Sequence, residues 1–292
     1  MDSPGPAWEL LGRGILARQP IAALRDAYAR TDIVALDLDE CIFPGYSQTA
    51  LGARVARRLL RKPDRPGQRR LLARLAGGGL LFAVKEVRRW LGAEPPMRRL
   101  VAWYEWVMRG VPEHYLLEEA QALPPKAFPF AAETVAELAR KAPTGIITLG
   151  LDIVARAFVA QFSTIRGPSL DFFASNVVTF APDPRGEPVF EGYAADRYLL
   201  DGNDKVSALG RIMADYGAIV PLTVGHSDDD VGLARLARER GGLAIGFNPR
   251  ERLWGTFDIV ALGESWAPVY AVAAILAAPE GADQSRTWPA RP

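Results

Sequence analysis

The chain has 292 residues, 49% of them apolar and 24% charged, with a net charge of +1. That is an ordinary soluble globular composition, long enough for one large domain or a core carrying an insertion, and it gives no global electrostatic case for nucleic acid. A single cysteine, Cys41, excludes an internal disulfide framework and a cysteine-rich metal site.

The N-terminal MDSPGPAWELLGRG lacks a basic stretch followed by an apolar run, and no uncharged apolar run is long enough to cross a bilayer. A cytoplasmic location is therefore expected. Short runs rich in Val and Ile then recur along the chain: Ile33–Leu36, Gly145–Leu149, Ser175–Phe180, Leu222–Gly225, Leu243–Phe247 and Asp258–Leu262. Between them lie helical patterns over Ala131–Lys141, Lys205–Tyr216 and Asp228–Arg240. This alternation predicts an α/β fold, a Rossmann-like parallel sheet covered by helices on both faces, with ligands bound beyond the carboxyl ends of its strands.

One region breaks the alternation. From Pro44 to Phe128 no strand is predicted, and Leu80, Val84, Val87 and Leu91, then Leu100, Trp103 and Val107, fall at helical spacing. RKPDRPG (61–67), AGGG (76–79) and GAEPP (92–96) read as breaks between helices. The expected organisation is an α/β core from residues 1–43 and 129–278, a helical insertion at 44–128, and a disordered tail at 279–292.

Four places combine a strand end or helix start with chemistry-bearing residues. In IVALDLDE, Asp37 and Asp39 stand two apart, so on a strand both point to one side; two close carboxylates call for a shared proton or cation. In GIITLG, the Thr148 hydroxyl and the amides of Leu149 and Gly150 make a candidate phosphate cradle. In LLDGNDKVSAL, Lys205 opens a helix. In VGHSDDDVGL, Gly225 leads into His226, Asp228, Asp229 and Asp230, a set that suits a hard cation or simply favours the following helix dipole.

In this order the four sites resemble the haloacid dehalogenase superfamily, nearest its phosphoserine-phosphatase-like members. The family pattern is DxD after the first strand, Thr or Ser after the second, a Lys, then GDxxxD or a relative, with a helical cap after the first motif and a hairpin-like stretch after the second. The resemblance covers about Ile33 to Leu276. It implies a phosphatase acting on a small phosphorylated substrate. Asp37 is then the nucleophile, Asp39 the acid and base, and Thr148 and Lys205 hold the phosphoryl group. It also implies Mg²⁺ between Asp37, the carbonyl of Asp39 and the last motif, with His226, Asp229 and Asp230 as its candidate ligands. Several residues depart from the pattern: Cys41 stands where Thr or Val is usual, and Thr148-Leu149-Gly150 stands in place of Ser-Gly-Gly, which argues against phosphoserine itself as the substrate. His226 stands in place of a metal-binding Asp, so either Asp229 or Asp230 takes the ligand role, or the imidazole shifts preference toward Mn²⁺ or another transition metal, or metal binding is weak. Glu40 stands in place of a small Gly. Alternatives with the same pattern are a catalytically impaired relative that only binds a phosphorylated ligand or protein partner, and a phosphotransferase using the same aspartyl-phosphate.

Between Arg54 and Arg99 there are fourteen basic residues and three acidic ones. Such a stretch is either a solvated face packed on an acidic core or a surface that attracts an anionic substrate or a lipid headgroup, and LLARLAGGGLLFAVKEVRRWLG (71–92), with an apolar face, basic neighbours and Trp90, also has the pattern of an interfacial helix.

Overall fold

The computed structural model describes residues 8–61, 67–90, 97–165, 170–195 and 198–279. Lys62, Arg65, the GAEPP segment and the tail from 280 lie outside the described residues, as do the side chains of Lys85, Arg88, Arg89, Trp90 and Arg98. The chain begins with β1 (Glu9–Gly12), β2 (Ile15–Ala17), α1 (Ile21–Arg30) and β3 (Ile33–Leu36). Four helices follow: α2 (Ser47–Arg61), α3 (Gln68–Trp90), α4 (Met97–Met108) and α5 (Glu113–Gln121). Then come α6 (Ala131–Lys141), β4 (Thr144–Leu151), α7 (Asp152–Ile165), β5 (Phe172–Asn176), β6 (Val178–Pro182) and β7 (Pro188–Tyr193). The chain closes with α8 (Gly202–Tyr216), β8 (Pro221–Gly225), α9 (Val231–Glu239), β9 (Leu243–Phe247), β10 (Ile259–Ala261) and α10 (Ala267–Ala277).

The main sheet has the order β1-β2-β10-β9-β8-β3-β4-β5. The six strands from β10 to β5 run parallel, and β2 and β1 add an antiparallel margin. The sheet is thus mixed rather than wholly parallel, because Gly14 (φ 73°) turns β1 tightly into β2 before the first helix. β3 sits at the centre, and all four of its residues are buried, as expected of a strand covered on both faces. From β3 the chain moves one way to β4 and β5, then returns to the other side through β8 and β9. The switch point therefore lies between β3 and β8, where a crevice opens beyond the strand ends.

The expected strand over Ser175–Phe180 is two strands. β5 ends at Asn176, and β6 pairs instead with β7 in a separate hairpin. The reason is local: the Val178 N–H donates to the Asp152 carboxylate (3.0 Å), and the Asn176 side chain bonds backbone on both sides, so the chain leaves the sheet there. The AGGG stretch is no break either. α3 runs through it, and a Cβ on Gly78 would come within 2.8 Å of Val107, so the glycine lets α3 and α4 pack closely. Leu71 and Leu75 form the buried side of α3, whereas Leu80 and Val84 are 67% and 45% exposed.

Some of the described cations of the insertion are engaged, whereas Arg57, Arg61, Arg69, Arg70 and Arg99 are exposed. Arg54 and Arg58 pair with Glu119 and Glu118 on α5, and Arg74 donates to the carbonyls of Trp106 and Arg109. The Phe190 N–H donates to the Val111 carbonyl, and the Gly110 N–H to the Phe190 carbonyl (both 2.8 Å). These bonds tie the corner between α4 and α5 to the β6–β7 hairpin.

Candidate active site

Asp37 leaves β3 at its carboxyl end and is 2% exposed. Lys205, on the first turn of α8, is equally buried, and its Nζ donates to Oδ1 of Asp37 and Oδ1 of Asp230, both at 2.8 Å. Burial alone would weaken the Lys205 charge, but Asp230 and Asp37 more than offset it and hold its pKa above the usual lysine value. The same balance acts on Asp230. Burial pushes it up, and the charges of Lys205 and His226 bring it down to about 2.

Local sequence explains how Lys205 arrives there. Asp201 caps α8 by accepting from the N–H groups of Asn203 (2.9 Å) and Asp204 (3.2 Å). Just upstream, Asn176 accepts from the Leu199 N–H and donates to the carbonyls of Leu199 and Leu149. One side chain thus fixes the end of β4 against the approach to α8. A Cβ on Gly202 would come within 2.7 Å of the Asp229 carbonyl, so a glycine there lets α8 meet the loop after β8. That loop folds back on itself, with Asp230 Oδ2 accepting from the His226 N–H (2.9 Å), the Ser227 N–H (3.0 Å) and the Ser227 hydroxyl (3.1 Å).

Asp39 is half-buried, and its Oδ1 accepts the Ser47 N–H at 2.7 Å. Its carboxyl is pushed up to about 6, chiefly by loss of solvent and further by the Asp37 charge, with Ser47 and Lys205 opposing. Ser47 was not foreseen; only its position at the first residue of α2 marks it. Thr148 is buried, and its hydroxyl oxygen accepts the Gly150 N–H at 3.0 Å. The Gly150 amide expected to be free is therefore already engaged. Leu149 lines the cavity, and its carbonyl accepts from Gln48 (3.1 Å) and Asn176 (2.8 Å). Cys41 is fully buried and its thiol is held well above its usual pKa, first by burial and then by Asp37 and Asp230; it is a packing residue.

His226 stands opposite Lys205. Its Nδ1 lies 3.1 Å from Asp37 Oδ2 and 3.5 Å from Asp230 Oδ2, and its Nε2 lies 3.4 Å from Glu40 Oε2. Burial alone would lower its pKa, but the bonds to Asp37 and Glu40 and the surrounding charge raise it to about 10. Asp37, His226 and Asp230 each offer a ligand atom within 4.8 Å of one another. Two carboxylates and an imidazole suit a divalent first-row metal, so the residues present fit such an ion. Because Lys205 takes Oδ1 of both acids and Asp230 Oδ2 already has three donors, Asp37 and His226 are the better-placed ligands. Asp229 lines the same cavity outside that cluster, its carboxyl raised by burial.

These groups form the floor of a cavity of about 430 Å³, whose walls include Leu100, Val101, Phe128 and Leu253 beside Gln48 and Arg250. No protein-family model matches the chain, and no curated protein matches it. Solved structures do. A phosphoserine phosphatase in its apo form superposes with a TM-score of 0.57 at 16% identity, covering 82% of this chain and 97% of its own. The chain has the fold of the haloacid dehalogenase hydrolases. A hydrolase of that family from Salmonella enterica serovar Typhi matches at a TM-score of 0.56 and 15% identity, over 80% of this chain and 68% of that one. A cytosolic 5'-nucleotidase IIIB bound to cytidine matches at 0.61 and 16% identity, over 91% and 94%. In the haloacid dehalogenase fold the crevice at the switch point is where this chain gathers Asp37, Thr148, Lys205 and His226.

Proposed function

We propose that the chain is a divalent-metal-dependent phosphatase that hydrolyses a small phosphate monoester through an aspartyl-phosphate on Asp37. The observation that carries this reading is the pairing of Asp37 with Asp39. Asp37 is buried and accepts a hydrogen bond from Lys205; Asp39, two residues on, has its carboxyl pushed up to about 6. One acid is paired with a buried ammonium and its neighbour holds a proton more readily than an ordinary carboxyl, the division of labour that a nucleophile and a general acid require. A solved phosphoserine phosphatase carrying an analogue of the phospho-aspartyl intermediate shares the fold.

Asp37 attacks phosphorus, and the bond to the leaving oxygen breaks as Asp39 gives that oxygen its proton. Asp39, now ionised, takes a proton from water; the hydroxide attacks phosphorus, and the bond to Asp37 breaks to release inorganic phosphate. Lys205 and the Thr148 hydroxyl face the transferred group and offset its charge. A metal held by Asp37 and His226, with the carbonyl of Asp39 and the acids of the last motif around it, would supply further neutralisation of phosphoryl charge; His226 favours Mn²⁺ or a similar ion over Mg²⁺. The cavity volume suits a small substrate, and Arg250 at its wall supports an anionic or polar leaving group. Residues 44–128 act as the cap that shapes this entrance.

Leu80, Val84 and Trp106 are exposed on α3 and α4, and so are Arg69 and Arg70 on α3. This apolar and basic surface supports peripheral contact with anionic lipid. The test of the main reading is hydrolysis of an aryl phosphate by the purified chain in Mn²⁺, Mg²⁺ and chelator. Turnover that needs metal and vanishes in Asp37→Asn is expected. Turnover unaffected by either change would overturn the reading.

A further inference from the structure

Glu40 and His226, two of the departures from the family pattern, meet in the structure although they lie 186 residues apart. Glu40 occupies left-handed backbone (φ 56°), which few residues with a side chain adopt and which glycine adopts freely. Its own N–H donates to the Gly45 carbonyl (3.0 Å), closing the loop after Asp39. A glycine would close that loop with less strain, so loop geometry alone gives no reason for the carboxylate. The side chain supplies one: Oε2 faces His226 Nε2 at 3.4 Å, while Nδ1 of the same ring faces Asp37 and Asp230.

An imidazole can ligate a cation through one nitrogen only if the proton stays on the other. A carboxylate at that other nitrogen selects the tautomer and fixes the ring plane. The backbone of His226 is pinned by Asp230 and one edge of its ring faces Asp37 through Nδ1, which leaves Glu40 to hold the opposite edge at Nε2. We propose that Glu40 is a positioning residue: it accepts the Nε2–H of His226 and so turns Nδ1 toward Asp37 and Asp230. The inference concerns the ring contact itself; its consequence for metal binding rests on the phosphatase reading above.

The test uses the full chain labelled with ¹⁵N-histidine. There are two histidines, and His226→Gln assigns the pair. Glu40→Gly removes the carboxylate while relaxing the backbone, so folding is preserved, and Glu40→Gln keeps an acceptor without the charge. Without metal, the wild-type Nε2–H is expected to exchange slowly with water, more quickly in Glu40→Gln and fastest in Glu40→Gly. With Zn²⁺, a diamagnetic probe, wild type should show the metal-bound shift on Nδ1 and the proton on Nε2. Zn²⁺ affinity should fall about 10- to 100-fold in Glu40→Gly, with partial rescue in Glu40→Gln. Zn²⁺ affinity and Nε2–H exchange unchanged in Glu40→Gly would overturn the proposal. If wild type bound neither Zn²⁺ nor Mn²⁺ while Nε2–H protection still depended on Glu40, the positioning role would stand and the metal-dependent reading would fall.

Discussion

Replacing Lys205 with Met isolates the electrostatics of the site. The ammonium is 2% exposed and bridges Asp37 and Asp230, themselves 2% and 1% exposed, at 2.8 Å each. Methionine fills much of the same volume but leaves two buried carboxylates without their shared cation. Removing one partner of a buried ion pair costs about 3–5 kcal/mol, because the remaining charge stays desolvated. Here Asp230 keeps its bonds from His226 and Ser227, and Asp37 keeps His226, so the lower end, about 3 kcal/mol, is expected. The assay is urea unfolding at neutral pH in chelator. The midpoint should fall by that amount with little change in slope. Adding Asp230→Asn removes one of the stranded charges, so the double variant should be more stable than the sum of the single losses predicts, by about 0.5–3 kcal/mol. A loss below about 1 kcal/mol, or simple additivity, would show that the bridge is not the electrostatic centre described here.

Asp39→Asn should lower kcat for an alkyl phosphate by about 10²–10⁴, as expected for loss of a general acid and base. The first step with an aryl phosphate, read as the burst of released phenol, should suffer less, because that leaving group needs no proton; equal losses of that first-step rate for both substrates would contradict the role. Tyr28, 4% exposed, has its hydroxyl pushed up to about 12 by burial and then by Glu137. Its folded pKa exceeds the unfolded value, so its contribution is fully present below about pH 10 and is lost as pH rises toward 12. Relative to Tyr28→Phe, the wild type should lose up to about 3 kcal/mol over that window, measured by denaturant midpoints; a difference independent of pH would refute this. Sedimentation with vesicles of phosphatidylcholine, with and without phosphatidylglycerol, checks the exposed face of α3 and α4. Binding only to the anionic vesicles, reduced by salt and by Trp106→Glu, is expected; no binding to either excludes the lipid contact.

The buried parallel strands were legible because a strand covered on both faces is a continuous apolar run, as in Ile33–Leu36 and Leu243–Phe247. Asp37 and His226 could be picked out because each follows such a strand, Thr148 because it lies near the end of one, and Lys205 because it stands in the first turn of a helix. Less could be read where tertiary contacts decide. The hairpin of β1 and β2 is short and half-exposed, and α1 is brief, so neither stands out in the sequence. Of the glycines that read as a break in α3, Gly78 serves instead to admit Val107. The stripe of Leu80 and Val84 has helical spacing, but spacing does not say which way a helix faces, and here it faces solvent. In the same way the basic stretch could not show that Arg54 and Arg58 turn inward to α5. Glu40 and His226 each looked like an isolated oddity, and only the meeting of β3 and β8 relates them.

The most direct test of the central claim is to quench the Asp39→Asn variant during turnover of an aryl phosphate and search its peptides by mass spectrometry for a covalent phosphoryl group. Asp39→Asn keeps the nucleophile but lacks the base that clears the intermediate, so phosphate is predicted to accumulate on Asp37. Turnover with no adduct on Asp37, or with an adduct elsewhere, would contradict the account.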